Sequence, residues 1–220
     1  MTCQYSLPDP LFLLQNPPAK IPFKKLIKEK ITEFWQKKLS EDAASKPSLR
    51  YQRCPFLSLD SGPHQLWLSC RGSGSAIRAA CVQARMISGR YRTDALLSKW
   101  SGESSNCLIP GCVALHGDLE HMLSGACIPL QETIAVAISR GLARLWEHPH
   151  LIPPITSALC NPNISEWVGL LLDPSTHACF IGIQQNLGKK SIWPVFRFSR
   201  TVIWSIHRKR LYLKGHEKYL

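Results

Sequence analysis

The chain has 220 residues, 45% of them apolar, and carries a formal net charge of +12. An apolar fraction of this size excludes wholesale disorder, and the length suits one medium domain or two small ones. The excess of positive charge favours a polyanionic partner, with nucleic acid as the first candidate and an anionic membrane surface as the second.

The first predicted helix follows a proline-rich, irregular lead-in at residues 1–19. From residue 20 onwards, apolar side chains recur every three or four residues and lysines occupy the opposite positions. This spacing predicts an amphipathic helix of about 18 residues, with Pro22 in its first turn. Residues 40–72 lack this periodicity, so we expect loop and short extended pieces there.

A second helix is predicted over residues 75–88, where small and apolar residues share one side. Ser73 or Ser75 can cap its start, and Gly89 ends it. The preceding Gly-Ser-Gly at 72–74 lacks the third glycine and the lysine of a nucleotide-binding loop. We therefore interpret it as a helix boundary.

The remaining sequence predicts further helices. Thr93 can cap a short helix through Trp100, and Pro129 opens a helix of about 15 residues. Helical turns are expected near 154–160 and 164–172, and a final basic helix near 195–214. Strand-like alternation is scarce, so the sequence predicts a mainly α protein.

The chain holds nine cysteines at irregular spacing. The apolar run at residues 11–14 is too short for a signal peptide, and no apolar stretch approaches the roughly 20 residues of a membrane span. We therefore expect no transmembrane segment and a nuclear or cytoplasmic protein. Thiols stay reduced in those compartments and bind metal more often than each other.

One cysteine cluster has the pattern C-x4-C-x8-H-x5-C. Its members are Cys107, Cys112, His121 and Cys127. Three cysteines and one histidine form a standard closed set for structural zinc, which prefers a tetrahedron of four such ligands. Pro110 and Gly111 supply a turn between the first two cysteines, and Asp118 can cap a short helix carrying His121. The cluster predicts a structural Zn²⁺ site.

Two other interpretations of the cluster stay open. His116 can replace His121, although the pattern C-x4-C-x3-H-x10-C is a poorer match. The cysteines can also be small buried apolar residues beside a chance histidine.

Together, the helical patterns and the cysteine cluster predict a mainly α fold. It has helical segments around a small zinc-stapled knuckle and few or no strands. The chain then divides into four parts. They are an irregular lead-in (1–19), a basic helical region (20–100), a CCHC zinc knuckle (101–130) and a helical C-terminal region with a basic tail (131–220).

Positive charge is concentrated in two zones. Residues 20–100 hold 16 Lys/Arg against 6 Asp/Glu and residues 189–220 hold 9 against 1, whereas residues 101–188 hold 2 against 7. Arginine grips phosphates and tyrosine can stack on a base, although the same residues also suit solvated helix faces. The predicted nucleic-acid contacts are Lys24, Lys25, Lys28, Arg85, Arg90, Tyr91, Arg92, Arg208, Lys209 and Arg210.

Catalytic patterns are missing from the sequence. It contains no H-E-x-x-H, no G-x-S-x-G and no Walker loop. Its carboxylates are few and scattered, which argues against a two-metal centre. We therefore expect no enzymatic activity and no small-molecule substrate.

Three segments of the chain carry a resemblance to a known family. They are ARMISGRYR at 84–92, CLIPGC at 107–112 with GDLEHML at 117–123 and Cys127, and LLDPS at 171–175 with RTVIW at 200–204 and HRKRL at 207–211. Together they resemble the zinc-knuckle region downstream of the reverse transcriptase domain in polyproteins of non-LTR, LINE-type retrotransposons. The F/Y-x-D-D catalytic motif of that family is absent from this sequence.

The resemblance implies a metal role for the four cluster residues and binding to template RNA or target DNA. It also implies an upstream reverse transcriptase domain as a partner. We therefore expect a non-catalytic, zinc-binding nucleic-acid-binding module that is part of an RNA-directed DNA polymerase polyprotein. The alternatives are a zinc-stapled protein-interaction module and a degenerate, functionless retroelement remnant.

Overall fold

The computed structural model describes residues 5–45, 64–70, 73–102 and 104–215. Across these ranges the chain is helical and has no β-strand, which confirms the mainly α prediction. The chain forms two compact units, Met1–Gly62 and Pro63–Leu220, whose boundary falls inside the segment 20–100. Within the described ranges, no helix has both the length and the apolarity needed to cross a membrane.

The described part of the first unit has two helices, α1 (Pro10–Gln15) and α2 (Lys20–Ser45). Helix α1 lies in the lead-in that we expected to be irregular, and the carboxylate of Asp9 caps it. Helix α2 confirms the predicted first helix and extends it to 26 residues. Its apolar side chains are exposed or only half-buried where they are described, and the ring of Tyr5 packs 4.9 Å from that of Phe34.

The described part of the second unit contains nine α-helices. They are α3 (Gln65–Leu68), α4 (Gly74–Ile87), α5 (Asp94–Ser101), α6 (Leu119–Leu123), α7 (Ile128–Ala143), α8 (Ile152–Leu159), α9 (Ile164–Leu172), α10 (Ala178–Leu187) and α11 (Trp193–Leu213). Short 3-10 turns occur at Pro149–Leu151, Pro174–Thr176 and Lys189–Ile192.

Most of these helices confirm the sequence prediction: α4, α5, α7, α8, α9 and α11 lie where helical patterns were found. Ser73 caps α4 and Thr93 caps α5, as expected. Helices α3 and α10 were not predicted. Helix α3 replaces part of the loop expected at 40–72, much of which lies outside the described residues.

Helix α11 is the central element of the second unit. Its apolar side is buried against α4, α7 and α9 and includes Phe196, Phe198 and Ile203. At the contact with α7, a Cβ atom on Gly141 would lie 2.5 Å from the ring of Phe198. The two helices approach this closely because residue 141 has no side chain.

Two buried polar side chains satisfy helix ends in this unit. The guanidinium of Arg200 donates hydrogen bonds to the carbonyl oxygens of Leu66 and Ser69, at the C-terminal end of α3. The side-chain amide of Gln83 donates to the carbonyl oxygens of Leu171 and Leu172, where α9 ends. Both helix ends leave carbonyl groups without intrahelical donors, so these side chains remove a desolvation cost.

Candidate metal centre

Backbone hydrogen bonds shape the loop that carries the first two cysteines. The N–H of Cys107 donates to the carbonyl of Ala114 at 3.0 Å, which closes a short, doubled-back segment. Within it, the N–H of Cys112 donates to the carbonyl of Ile109, also at 3.0 Å. Gly111 has φ of +82°, a conformation that glycine adopts without strain, so the predicted turn is confirmed.

The short helix α6 holds His121 beside this loop. The carboxylate of Asp118 accepts a hydrogen bond from the N–H of His121 at 2.8 Å, which confirms the predicted cap. The other side of α6 rests on α9, where the indole of Trp167 donates to the carbonyl of Leu123 at 3.2 Å. This contact fixes the rotation of α6, and hence the direction of the imidazole.

Cys127 is fully buried and lies immediately before α7, at its N-cap position. Its thiol caps no backbone N–H of that helix, so the sulfur remains available as a ligand. The N-terminal end of a helix carries partial positive charge, which offsets part of the cost of burying a metal-bound thiolate there.

These elements bring the four predicted ligands together. One donor atom from each of Cys107, Cys112, His121 and Cys127 lies within 4.8 Å of all the others. The sulfurs of Cys107 and Cys127 are 4.0 Å apart, and the sulfur of Cys112 is 3.3 Å from Nε2 of His121. Tetrahedral zinc with these ligand types holds its donor atoms about 3.5–3.8 Å apart. The residues therefore fit a metal ion with small adjustments.

The protonation of the ligands links metal binding to pH. Burial raises the pKa of Cys107 and of Cys127, and the neighbouring thiols raise that of Cys127 further. Burial also lowers the pKa of His121, which favours the neutral imidazole that a metal requires. Metal binding must therefore displace protons from the cysteines but not from the histidine.

His116, the other histidine that the sequence left open, lies outside the cluster. It is exposed, and its Nδ1 is 3.3 Å from the hydroxyl of Ser105. The geometry thus favours His121. Among the described residues, no second group of histidine, cysteine and carboxylate side chains has spacing suited to a metal.

A buried carboxylate, Asp94, connects this centre to helix α11. One of its oxygens accepts a hydrogen bond from the N–H of Leu108, next to a ligand, at 3.0 Å. The other accepts from Arg210 at 3.0 Å and from Lys214. Burial alone would raise the pKa of Asp94, but these donors and the charge of Arg210 hold it below its ordinary value. Asp94 therefore stays ionised and ties the metal loop to the C-terminal helix.

The structure separates the predicted nucleic-acid contacts into exposed or half-buried side chains and buried ones. Eight have exposed or half-buried side chains. They are Lys24, Lys25, Lys28, Arg85, Arg90, Arg92, Arg208 and Lys209. Lys24, Lys25 and Lys28 lie on α2 in the first unit, and the other five lie in the second unit.

Two of the predicted contacts are corrected. Tyr91 is buried, and its hydroxyl lies 2.9 Å from Nδ1 of His207, so its ring cannot receive a base. Arg210 is buried too, with its guanidinium committed to Asp94 and placed over the Tyr91 ring at 5.5 Å. Both side chains belong to the core rather than to a phosphate-binding surface.

A serine, a histidine and an aspartate also meet in the second unit. The hydroxyl of Ser175 donates to Asp173 at 2.6 Å, and Nε2 of His64 lies 3.2 Å from the other carboxylate oxygen. The Nδ1 of His64 accepts from the N–H of Leu66. The serine hydroxyl donates to the carboxylate and lies 3.5 Å from Nε2 of His64, so the serine proton is directed to the aspartate rather than to the imidazole, unlike in a catalytic triad.

Sequence reasoning missed Asp94 and its partners, because a buried carboxylate has no local pattern. The described residues thus contain one arrangement fitted to a metal, held by α6, α7 and a loop, and linked to α11. Comparison with protein families, curated proteins and solved structures finds nothing that matches this chain.

Proposed function

We propose that this chain is a non-catalytic nucleic-acid-binding module stapled by a structural zinc ion. The observation that carries the proposal is the Cys107, Cys112, His121 and Cys127 cluster, whose donor atoms all lie within 4.8 Å of one another. Its resemblance to the knuckle region of LINE-type retrotransposon polyproteins adds RNA or DNA as the partner and an upstream reverse transcriptase domain as the neighbour.

The chemistry of the cluster supports a structural role for the metal. Four protein ligands complete a tetrahedron, so no coordination position is left for water or substrate. Asp118 and Glu120 lie just before His121, so the knuckle is not basic, as a phosphate-binding surface would be. The basic helices bind the phosphates, and the knuckle supports those of the second unit, to which it belongs. Such binding depends on salt and selects weakly between sequences.

The first experiment measures zinc per chain by elemental analysis, in protein purified without added metal. We expect about one zinc in the wild type, as a closed four-ligand site implies, and much less in Cys107→Ser. Cys160→Ser is the matched control, because Cys160 is exposed and lies outside the cluster. Equal zinc in the wild type and in both variants would show that the cluster does not bind the metal.

A second experiment titrates the zinc-loaded chain with fluorescently labelled RNA and DNA. Reversing the charge of Lys24, Lys25 and Lys28 together with Arg208 and Lys209 should weaken binding strongly and reduce its dependence on salt. Unchanged affinity after this reversal would show that the basic helices do not bind the nucleic acid.

The protein-interaction alternative has one observation in its favour. Four large apolar side chains of the knuckle are exposed: Leu108 (53%), Val113 (88%), Leu115 (71%) and Ile128 (61%). Exposed apolar patches often mark protein contacts. If this alternative holds, nucleic acid binds no better than heparin at equal charge. Preference for nucleic acid over heparin would favour our first proposal.

A further inference from the structure

Helix α11 presents one exposed stripe to solvent, opposite its buried side. With 100° per residue, Trp193, Arg197, Trp204, Arg208 and Tyr212 fall within an arc of roughly 100°. Arg197, Arg208 and Tyr212 are exposed, and the two tryptophans are half-buried. The stripe extends about 28 Å along the helix, at 1.5 Å per residue.

Among the described residues, the arginines of this stripe have no anionic partner. Helix α11 contains no aspartate or glutamate. Among the residues that the structure describes, neither Arg197 nor Arg208 forms an ion pair. This contrasts with Arg210, on the buried side of the same helix, which is paired with Asp94. Exposed, unpaired arginines on one face favour an external anion.

Neighbouring helices add positive charge along both flanks of the stripe. On one flank, the guanidinium of Arg144, at the end of α7, lies 3.5 Å from the hydroxyl of Thr201. On the other flank, Arg85 of α4 is exposed, and its charge adds to burial and to Arg210 in lowering the pKa of His207. The stripe is therefore bordered by arginine from two other helices.

Aromatic rings alternate with the cations. The ammonium of Lys190 lies 5.7 Å from the ring centre of Trp193, and that of Lys209 lies 5.3 Å from the ring centre of Tyr212. Between these ends, the ring of Trp204 tilts against that of His207 at 5.5 Å. Alternating cations and aromatic rings match the backbone and the bases of an unpaired strand.

We infer that this stripe of α11 is a binding track for single-stranded nucleic acid. Its arginines contact successive phosphates, and Trp204 and Tyr212 stack on bases. A duplex keeps its bases stacked on each other and offers no free base face to these rings. The inference rests on the proposed function and adds the interface and the single-stranded form of the partner.

The test compares zinc-loaded, full-length variants by titration with a labelled single strand of mixed sequence and with its duplex. The variant Arg197→Gln with Arg208→Gln loses two phosphate contacts. We expect about tenfold weaker single-strand binding and a salt slope lower by about 1.4. The control, Arg78→Gln with Lys99→Gln, removes equal charge from exposed positions on α4 and α5 and should leave both unchanged.

Stacking is tested at Tyr212, which is 53% exposed and so can be changed without disturbing the core. Tyr212→Ala should bind the single strand about fivefold more weakly, while Tyr212→Phe retains the wild-type affinity. Duplex binding should be insensitive to both. Helix content and melting temperature verify that each variant is folded.

The outcomes separate this inference from the proposed function. If the wild type binds neither strand form, both proposals fail. If it binds but the arginine variant matches its control, only the α11 track is wrong. If Tyr212→Ala binds like the wild type, or the duplex binds more tightly than the single strand, the single-stranded assignment is overturned.

Discussion

The ligand-bearing part of the knuckle, residues 105–127, and the helical core around α11 are stabilised by different forces. The core is apolar, and Phe180, Phe196 and Phe198 are among its fully or nearly fully buried side chains. Each such side chain contributes roughly 1.5–3 kcal/mol by burial. The knuckle has one helix of five residues and leaves Val113 and Leu115 mostly exposed.

This difference indicates which part of the second unit can fold without a metal. Burial of apolar surface stabilises the core helices in aqueous solution, with or without a metal. The knuckle gathers three thiols and an imidazole instead, and these groups gain little from proximity unless a metal joins them. Its order should therefore depend on metal, whereas the order of the core should not.

Removal of the proposed metal should have the largest effect on this contrast, because a structural zinc ion in a site of this kind contributes about 10 kcal/mol or more to its segment. After chelation, amide hydrogen exchange should accelerate across residues 105–127 and at the start of α7. The amides of α11 should remain protected. The chelator should change nothing further in Cys107→Ser, which has already lost a ligand. Protection that persists in the chelated wild type would show that the knuckle orders itself.

Asp94→Ala tests the connection between the two regions. The substitution leaves Arg210 buried without its carboxylate and frees the N–H of Leu108. We expect the free energy of unfolding to fall by about 4 kcal/mol, as when one partner of a buried ion pair is removed. Denaturant unfolding measures this loss. Lys214→Ala, which keeps the buried pair, should cost much less, and an equal cost would contradict the central role of Arg210.

Gly141→Val tests the core alone. Its Cβ atom would lie 2.5 Å from the buried ring of Phe198, so α7 and α11 must move apart. The expected loss is about 3 kcal/mol in the free energy of unfolding, with zinc content unchanged. Gly169→Val is the matched control, since a Cβ at this helical position meets no atom within 4 Å. Equal losses in the two variants would indicate a backbone effect rather than a steric one.

Much of this organisation could be predicted from local sequence signals. The 3.6-residue period located α4, α7 and α11, and the cap residues Ser73, Thr93 and Asp118 were found because capping acts within three residues. The ligand set followed from spacing alone, and the structure places its donor atoms together.

Non-local contacts could not be predicted in this way. The Asp94 contacts with Arg210 and Lys214 span more than 100 residues, and no sequence period reports them. Tyr91 and Arg210 were assigned to a surface because their neighbours are basic, yet the tertiary fold buries both. The stripe on α11 could have been predicted, because its cations and aromatic residues share one helical face. The basic run at 208–210 was selected instead, since its charges are adjacent in sequence.

The smallest expected effect is a pH dependence that originates at the half-buried His207 of α11. Burial, followed by the charges of Arg210 and Arg85, lowers the pKa of His207 to about 4. The unfolded chain therefore binds a proton at this residue near pH 6.5, and the folded chain binds it only near pH 4. Stability from neutral His207 is present above pH 6.5 and is lost as the pH falls through 4.

We expect this loss to amount to about 1–2 kcal/mol, because solvent screens the partly exposed ring. His207→Gln cannot take up the proton, so its free energy of unfolding should fall less steeply between pH 7 and pH 4 than that of the wild type. Protonation of the metal ligands affects both proteins equally, so the difference between the two slopes isolates His207. His150→Gln, at an exposed position, should follow the wild-type slope. A His207→Gln slope equal to that of the wild type would mean that folding does not shift the pKa of His207.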